Sequence, residues 1–233
     1  MTYNIRKGKG ASGRSTTAFD DLTHALRARA PDVVLVQEVF HPSESEDKMQ
    51  QSTELATRLG MTSFYEPNKR RRVGHHGNAT FTRYAIVDSQ NYDISTNRFE
   101  RRGALYARLD VGGRPLHVLN VHLGLNQRQR LHQVGMIGDI VAARVPKEEA
   151  MILAGDFNDW NRFLDPIVQR DLGVENSLGT DVQRARTWPA RRPVFCLDRV
   201  YVRNVQTHRT TRLMGEPWTE LSDHLPLWVE LEV

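Results

Sequence analysis

Residues 151–158 read Met151-Ile152-Leu153-Ala154-Gly155-Asp156-Phe157-Asn158: four apolar positions, then a glycine, a carboxylate and an amide nearby. A short apolar run of this kind is best read as a buried strand, and this one ends in polar side chains. A helix leads into it. Asn126-Gln127-Arg128-Gln129 fits a capping box, and Leu131, Val134, Ile137 and Val141 form the stripe expected to be buried. The same order occurs earlier in the chain. Thr17 to Ala30 has helical spacing, with Phe19, Leu22, Ala25 and Leu26 on one side and Pro31 as a stop. Val33-Val34-Leu35-Val36 follows and runs into Gln37-Glu38. Strand ends that carry carboxylates and amides are where α/β folds place their sites.

The flanking sequence is strand-rich. His41 to Lys48 is polar and acidic and reads as a loop, and Gln50 to Leu59 as a helix stopped by Gly60. Asn78 to Thr82, Ala85 to Val87, Ala104 to Val111, Pro115 to Val121, Leu197 to Val202, Val205 to Thr211 and Leu225 to Val233 are β-type runs, with Gly112-Gly113 as a hairpin signal. Many strands with a few helices predict an α/β fold of two sheets packed face to face with helices outside. The 233 residues suit one large unit, and no linker or fixed-period repeat divides them, so a single domain over 1–233 is expected.

Composition narrows the function. No apolar run approaches the ~20 residues needed to span a bilayer as a helix. One cysteine excludes an intrachain disulfide and a thiolate-rich zinc site. Together with the lack of a secretory signature at the start, this predicts a cytoplasmic location. The net charge of +4 is modest but clustered: Lys69-Arg70-Arg71-Arg72, then Arg98, Arg101 and Arg102, then Arg184, Arg186, Arg191 and Arg192. Local basic patches attract anionic substrates.

Several polar side chains stand at or beside strand ends. Glu38 follows a buried run, where a carboxylate must be paired, solvated or bound to a cation. Asp156 and Asn158, two apart, would share one side of an extended chain. Asp223-His224 sets an imidazole beside a carboxylate ahead of an apolar strand, Asp198 interrupts a strand-like run, and His122 ends another. With Asn4, these supply hard oxygen donors, amides and two imidazoles. Such a set selects Mg²⁺ or Mn²⁺ over Zn²⁺ and matches phosphoryl chemistry.

The motifs Thr2-Tyr3-Asn4-Ile5, Gln37-Glu38, Asn120-Val121-His122-Leu123, Gly155-Asp156-Phe157-Asn158, Leu197-Asp198-Arg199-Val200 and Ser222-Asp223-His224-Leu225-Pro226 occur in that order. In this the chain resembles the endonuclease/exonuclease/phosphatase superfamily, whose members include deoxyribonucleases, abasic-site endonucleases, inositol polyphosphate 5-phosphatases and bacterial sphingomyelinases. His122-Leu123-Gly124-Leu125 and Thr187-Trp188-Pro189-Ala190 give it the flavour of a compact bacterial member. The resemblance implies a four-layer α/β sandwich, two mixed sheets flanked by helices. It implies Glu38 as principal Mg²⁺ ligand, with Asn4 and Asp223 at the metal. Asp156 would position or deprotonate the attacking water and Asn158 would orient it. His224, partnered by Asp198, would contact the scissile phosphate, with His122 as a second contact or proton donor. Asn78 and Arg102 would bind substrate.

The leading expectation is a phosphodiesterase or nuclease acting on nucleic acid, favoured by the arginine clusters; the alternative is a phosphatase or phosphodiesterase for phospholipid or inositol-phosphate head groups, favoured by the compact chain. A non-catalytic phosphate-binding module is a third reading, which the complete residue set disfavours. Arg70, Arg71 and Arg72, just before Gly74 to Asn78, are expected to join Arg102 on a substrate-facing rim.

Overall fold

The computed structural model describes residues 1–13, 18–42, 50–69, 74–179 and 181–233. In chain order the elements are β1 (Thr2–Asn4), α1 (Ala18–Arg29), β2 (Val33–Pro42), α2 (Gln51–Leu59), β3 (Thr62–Lys69), β4 (Gly74–Thr82), β5 (Ala85–Asp93), β6 (Gly103–Val111), β7 (Arg114–His122), α3 (Gln127–Arg144), β8 (Ala150–Asp156), α4 (Asp165–Leu172), β9 (Glu175–Asn176), α5 (Val182–Ala185), β10 (Asp198–Arg203), β11 (Gln206–Arg212), α6 (Trp218–Leu221) and β12 (Leu227–Glu232). The strands form two six-stranded sheets, ordered β11-β12-β1-β2-β4-β3 and β5-β6-β7-β8-β10-β9. Both are mixed: β1 runs parallel to β2 and β7 parallel to β8, while the other pairings are antiparallel.

Three apolar layers separate four structural ones. Leu35, Leu109, Val118, Ile152, Val200 and Leu227 fill the space between the sheets. Tyr3, Leu22, Leu26, Val34, Phe81 and Trp218 join the first sheet to its helices, and Val134, Ile137, Leu153, Phe157 and Val168 do so for the second. Strands buried on both faces need apolar residues at every position, not alternate ones. That is why Val33 to Val36 and Met151 to Ala154 read as continuous runs.

A buried amide network crosses between the sheets at their working edge. Gln37 Nε2 donates to Asn120 Oδ1 at 2.7 Å and to Thr2 Oγ1 at 3.1 Å. Asn120 Nδ2 in turn donates to the carbonyls of Val36 (3.1 Å) and Ala79 (2.9 Å), bracing two strands of the opposite sheet from β7. Asn78 Nδ2 reaches back to the Asn120 and Gly103 carbonyls at 3.1 and 3.2 Å.

Several expectations are corrected. His41 and Pro42 continue β2 instead of opening a loop, because β4 supplies paired partners as far as Gly74. Glu38 therefore lies inside a strand, at a bulge between Val36 and Val39, with φ of 57°. Leu131 is exposed. The face of α3 nearest the cleft instead buries Arg130 and Gln133. The loop after His122 has backbone groups to satisfy there. Arg130 Nη1 donates to the Leu125 carbonyl at 2.6 Å, and Gln133 accepts from Gly124 N–H at 2.8 Å. The expected capping box is present at Asn126.

Replacing Asn120 with Leu should leave the Val36 and Ala79 carbonyls short of a partner, while Gln37 Nε2 keeps Thr2 Oγ1 and the Leu35 carbonyl. At ~1–3 kcal/mol for each of the two buried groups stranded, the loss should be on the order of 2–6 kcal/mol. Urea denaturation monitored by fluorescence checks it; an unchanged midpoint would show that the network adds nothing to sheet registration.

Candidate active site

The functional side chains converge because β1, β7 and β8 all end at one edge of the sandwich, where β10 begins. Gly155 allows the close approach. Its φ is 145°, and a Cβ there would lie 1.8 Å from the Val121 carbonyl oxygen. Only glycine fits between β7 and β8 at this level. The next residue, Asp156, is thereby set in register with His122 on β7 and with Asp198 on β10.

At the floor of the cleft His224 lies between two carboxylates. Its Nδ1 bonds Asp198 Oδ2 at 2.8 Å, and its Nε2 is 3.7 Å from Asp156 Oδ2. All three groups are buried. Burial alone would depress the imidazole, but Asp198 and Asp156 outweigh it and hold the ring up to about 10, so it is imidazolium at neutral pH. His122 is the opposite case. Burial, reinforced by the positive charges of Arg102 and His224, holds it well below its ordinary value, so it is neutral. The acid that faces it is Asp156, whose Oδ2 is 3.5 Å from His122 Nε2. Burial pushes Asp156 up to about 6, with Asp198 adding to the rise and His224, the Asn158 N–H and the Asn4 amide opposing it.

Asn158 does not extend alongside Asp156. Its φ is 49°, its backbone N–H donates to Asp156 Oδ1 at 2.9 Å, and its Nδ2 donates to the Leu123 carbonyl at 2.9 Å. The chain turns here because the carboxylate caps it. Asn158 still lines the cleft with Lys7, Glu38, His76, Arg102, His122, Asp156 and His224, in a space of about 300 Å³.

Among the described residues, the acid and imidazole atoms of Asp156, Asp198 and His224 lie within 4.8 Å of one another, close enough to share an ion. A doubly protonated ring has no lone pair to offer, so the oxygen donors nearby suit a cation better. Asn4 Nδ2 bonds Asp156 Oδ2 at 3.0 Å and approaches Glu38 Oε1 at 3.5 Å. Among the described residues Glu38 has only loose side-chain partners, the other being Lys7 Nζ at 4.0 Å. An under-partnered carboxylate beside a second carboxylate and an amide fits a hard divalent ion. Asp223 stands one step away, with its Oδ2 3.6 Å from Arg6 Nε.

Other expected residues scatter. Arg102 lines the cleft and bonds Glu100 Oε1 at 2.8 Å. Asn78 is buried between the sheets and spends its amide on backbone carbonyls, outside the cleft lining. Arg70, Arg71 and Arg72 lie outside the described residues. Sequence reasoning missed Lys7, His76 and Trp160 and gave Trp188 only as part of a motif, with no role in the site; all four line the cleft. The signal for Lys7 was its place just after Asn4-Ile5. It also missed the buried pair Arg199 Nη2–Asp159 Oδ2 at 2.8 Å, which ties the segment after Asn158 to the one after Asp198.

The family model for the Endonuclease/Exonuclease/phosphatase family matches residues 1–224. The uncharacterized protein YbhP of Escherichia coli K12 is 35% identical over 243 aligned residues, covering 100% of this chain and 95% of that protein. Among solved structures, the mannosyl-6-phosphatase Bt3783 of Bacteroides thetaiotaomicron superposes with a TM-score of 0.78 at 16% identity, covering 100% of this chain and 98% of that one. TDP2 of D. rerio complexed with single strand DNA product superposes with a TM-score of 0.73 at 16% identity, covering 100% and 97%.

The charge state of His224 carries a stability signature. A folded-state value of about 10 against 6.5 unfolded means that the folded chain binds the extra proton throughout that window. The contribution should be complete below pH 6.5 and lost as pH rises towards 10. Thermal melts of wild type should therefore decline across that range more steeply than those of His224→Gln. Parallel curves would mean that the ring is not held protonated.

Proposed function

Since the chain belongs to the endonuclease/exonuclease/phosphatase family, we propose that it is a divalent-metal-dependent hydrolase that cleaves phosphoesters by attack of water. Family members are phosphoester hydrolases and in general depend on a divalent metal. The observation that carries the reading for this chain is the buried His224 ring set between two carboxylates, its Nδ1 2.8 Å from Asp198 and its Nε2 3.7 Å from Asp156.

The roles follow from the charges. Asp156, ionised above about pH 6, orients the attacking water and accepts its proton. Asn158 and Asn4 fix that carboxylate and leave it one productive orientation. The His224 N–H at Nε2 donates to a phosphate oxygen as charge builds there, and Asp198 keeps the ring oriented and charged. Stabilising that charge with a preorganised donor is worth most in a site shielded from water. Neutral His122 supplies a second phosphate contact, and Arg102 and Lys7 add positive charge at the wall. Glu38, with Asn4 and Asp223 beside it, would hold the Mg²⁺ or Mn²⁺, which when bound would neutralise phosphate charge and lower the pKa of water.

Two substrate classes stand. TDP2, with its single-stranded DNA product, supports a nuclease, as do the arginines near the cleft. The mannosyl-6-phosphatase supports a smaller phosphoester. Apolar side chains around the cleft favour a lipid head group over nucleic acid. A phosphate-binding module without catalysis is disfavoured, because base, imidazolium and metal donors are all present.

Hydrolysis of bis-p-nitrophenyl phosphate with Mg²⁺ tests the reading. Asp156→Asn and His224→Ala should fold and lose on the order of 10²–10⁴ in turnover, as for a positioned acid or base. Glu38→Ala should need more Mg²⁺, measured by calorimetry. Asp198→Asn should cost less once His224 is gone, because the two act as a unit. Full activity in the Asp156 or His224 variant would overturn the assignment.

A further inference from the structure

Four of the exposed large apolar side chains stand on connections that ring the cleft: Phe99 is 72% exposed, Leu125 60%, Val194 55% and Phe163 43%. Their segments touch one another. Leu125 lines the cleft, and its N–H donates to Glu100 Oε1 at 3.3 Å, drawing the Phe99 connection against it. Asn161 Nδ2 reaches Gln127 Oε1 at 3.4 Å, placing the Phe163 connection beside the start of α3. Trp160 packs edge-on against both Trp188 and Phe195, each at 5.2 Å between centroids, which brings the Val194 segment to the same wall. Four neighbouring connections beside the cleft therefore carry exposed apolar side chains.

Each tip has arginine for company. Residues 97–102, 124–130, 160–163 and 191–195 contain eight arginines, of which Arg130 is buried and seven remain at least partly exposed, and a single acid, Glu100. Arg98 lies over the Phe99 ring at 4.8 Å, Arg162 precedes Phe163, and Arg192 stands two residues before Val194. Asp93, Asp165 and Glu220 pair with Arg101, Arg162 and Arg191 from outside these segments, and the rim stays net positive. Apolar tips exposed to water carry a free-energy cost that a partner must offset. A single nucleic-acid strand would use the arginines and stack on Phe99 and Phe163, but the aliphatic tips Leu125 and Val194 offer it neither charge nor a ring face. An anionic bilayer uses both: apolar tips enter the interface while guanidinium groups stay among lipid phosphates.

We infer that this rim is a docking surface for an anionic membrane, and that the phosphoester reaching His224 belongs to a lipid head group held there. The inference deepens the hydrolase reading and rests on it for the second clause only; the docking surface stands on the rim.

Flotation tests it, with vesicles of phosphatidylcholine containing about three parts in ten phosphatidylglycerol, and with phosphatidylcholine alone. Wild type should float with the anionic vesicles and remain behind with the neutral ones. Phe99→Ser/Phe163→Ser/Val194→Ser together should lower the bound fraction roughly tenfold or more. The same variant should keep its thermal transition and its hydrolysis of bis-p-nitrophenyl phosphate. Wild type that stays behind with anionic vesicles, a triple variant that floats as well as wild type, or a triple variant whose loss falls equally on a single-stranded oligonucleotide would overturn the docking surface. Flotation as expected with no phosphoester hydrolysis by wild type would leave the surface standing and remove the hydrolase reading.

Discussion

Asn120 holds the working edge of the molecule together. Its side chain lies in the dry space between two sheets, accepts from Gln37 and donates to two carbonyls of the opposite sheet. An amide buried there must be fully bonded or it costs stability, so the two sheets have one favourable relative position at this level. The site depends on that position. Asn4 and Glu38 come from one sheet, and His122, Asp156 and Asp198 from the other. His224, on the connection into β12, reaches across to join them. A shift of a single ångström between sheets would part His224 from Asp198 and Asn4 from Asp156.

Within that frame the charges are divided by surroundings and not by residue type. Two histidines face the same carboxylate, Asp156. One has a second carboxylate behind it and is held protonated. The other has Arg102 and the first imidazolium for neighbours and is held neutral. The site therefore offers a fixed cation, a neutral imidazole and a carboxylate near its titration point within a few ångströms. This is the combination that hydrolysis of an anionic ester needs: a proton acceptor for water and a standing positive charge for the phosphate.

Most of the fold was legible because burial on both faces leaves a plain mark. The central strands, the capping box at Asn126 and the Gly60 stop were all readable as local chemistry. What escaped was set by partners distant in sequence. β3 carries Pro67 and few aliphatics, and it is tolerated as a strand because it lies at a sheet edge. The persistence of β2 through His41 depends on β4, and the bulge at Glu38 on their pairing. Leu131 was misplaced because periodicity weighs apolar character alone, while Arg130 and Gln133 are buried for the loop carbonyls and amides they serve. In the site, His224 with Asp198 followed from motif chemistry. His76 and Trp160 gave no signal of their own, since only the fold brings residues 76 and 160 to one cleft; Lys7 was signalled only by its place after Asn4-Ile5 and Trp188 only by its motif.

The central claim is that water, positioned by Asp156, attacks phosphorus in this cleft. Phosphorus NMR of bis-p-nitrophenyl phosphate hydrolysed with Mg²⁺ in water enriched in oxygen-18 tests it most directly. The account predicts that the phosphate monoester carries the heavy isotope, seen as an isotope shift of its resonance, and that Asp156→Asn forms it far more slowly. Heavy oxygen found in the released nitrophenol instead, or an equal rate of labelled product from the Asp156 variant, would contradict it.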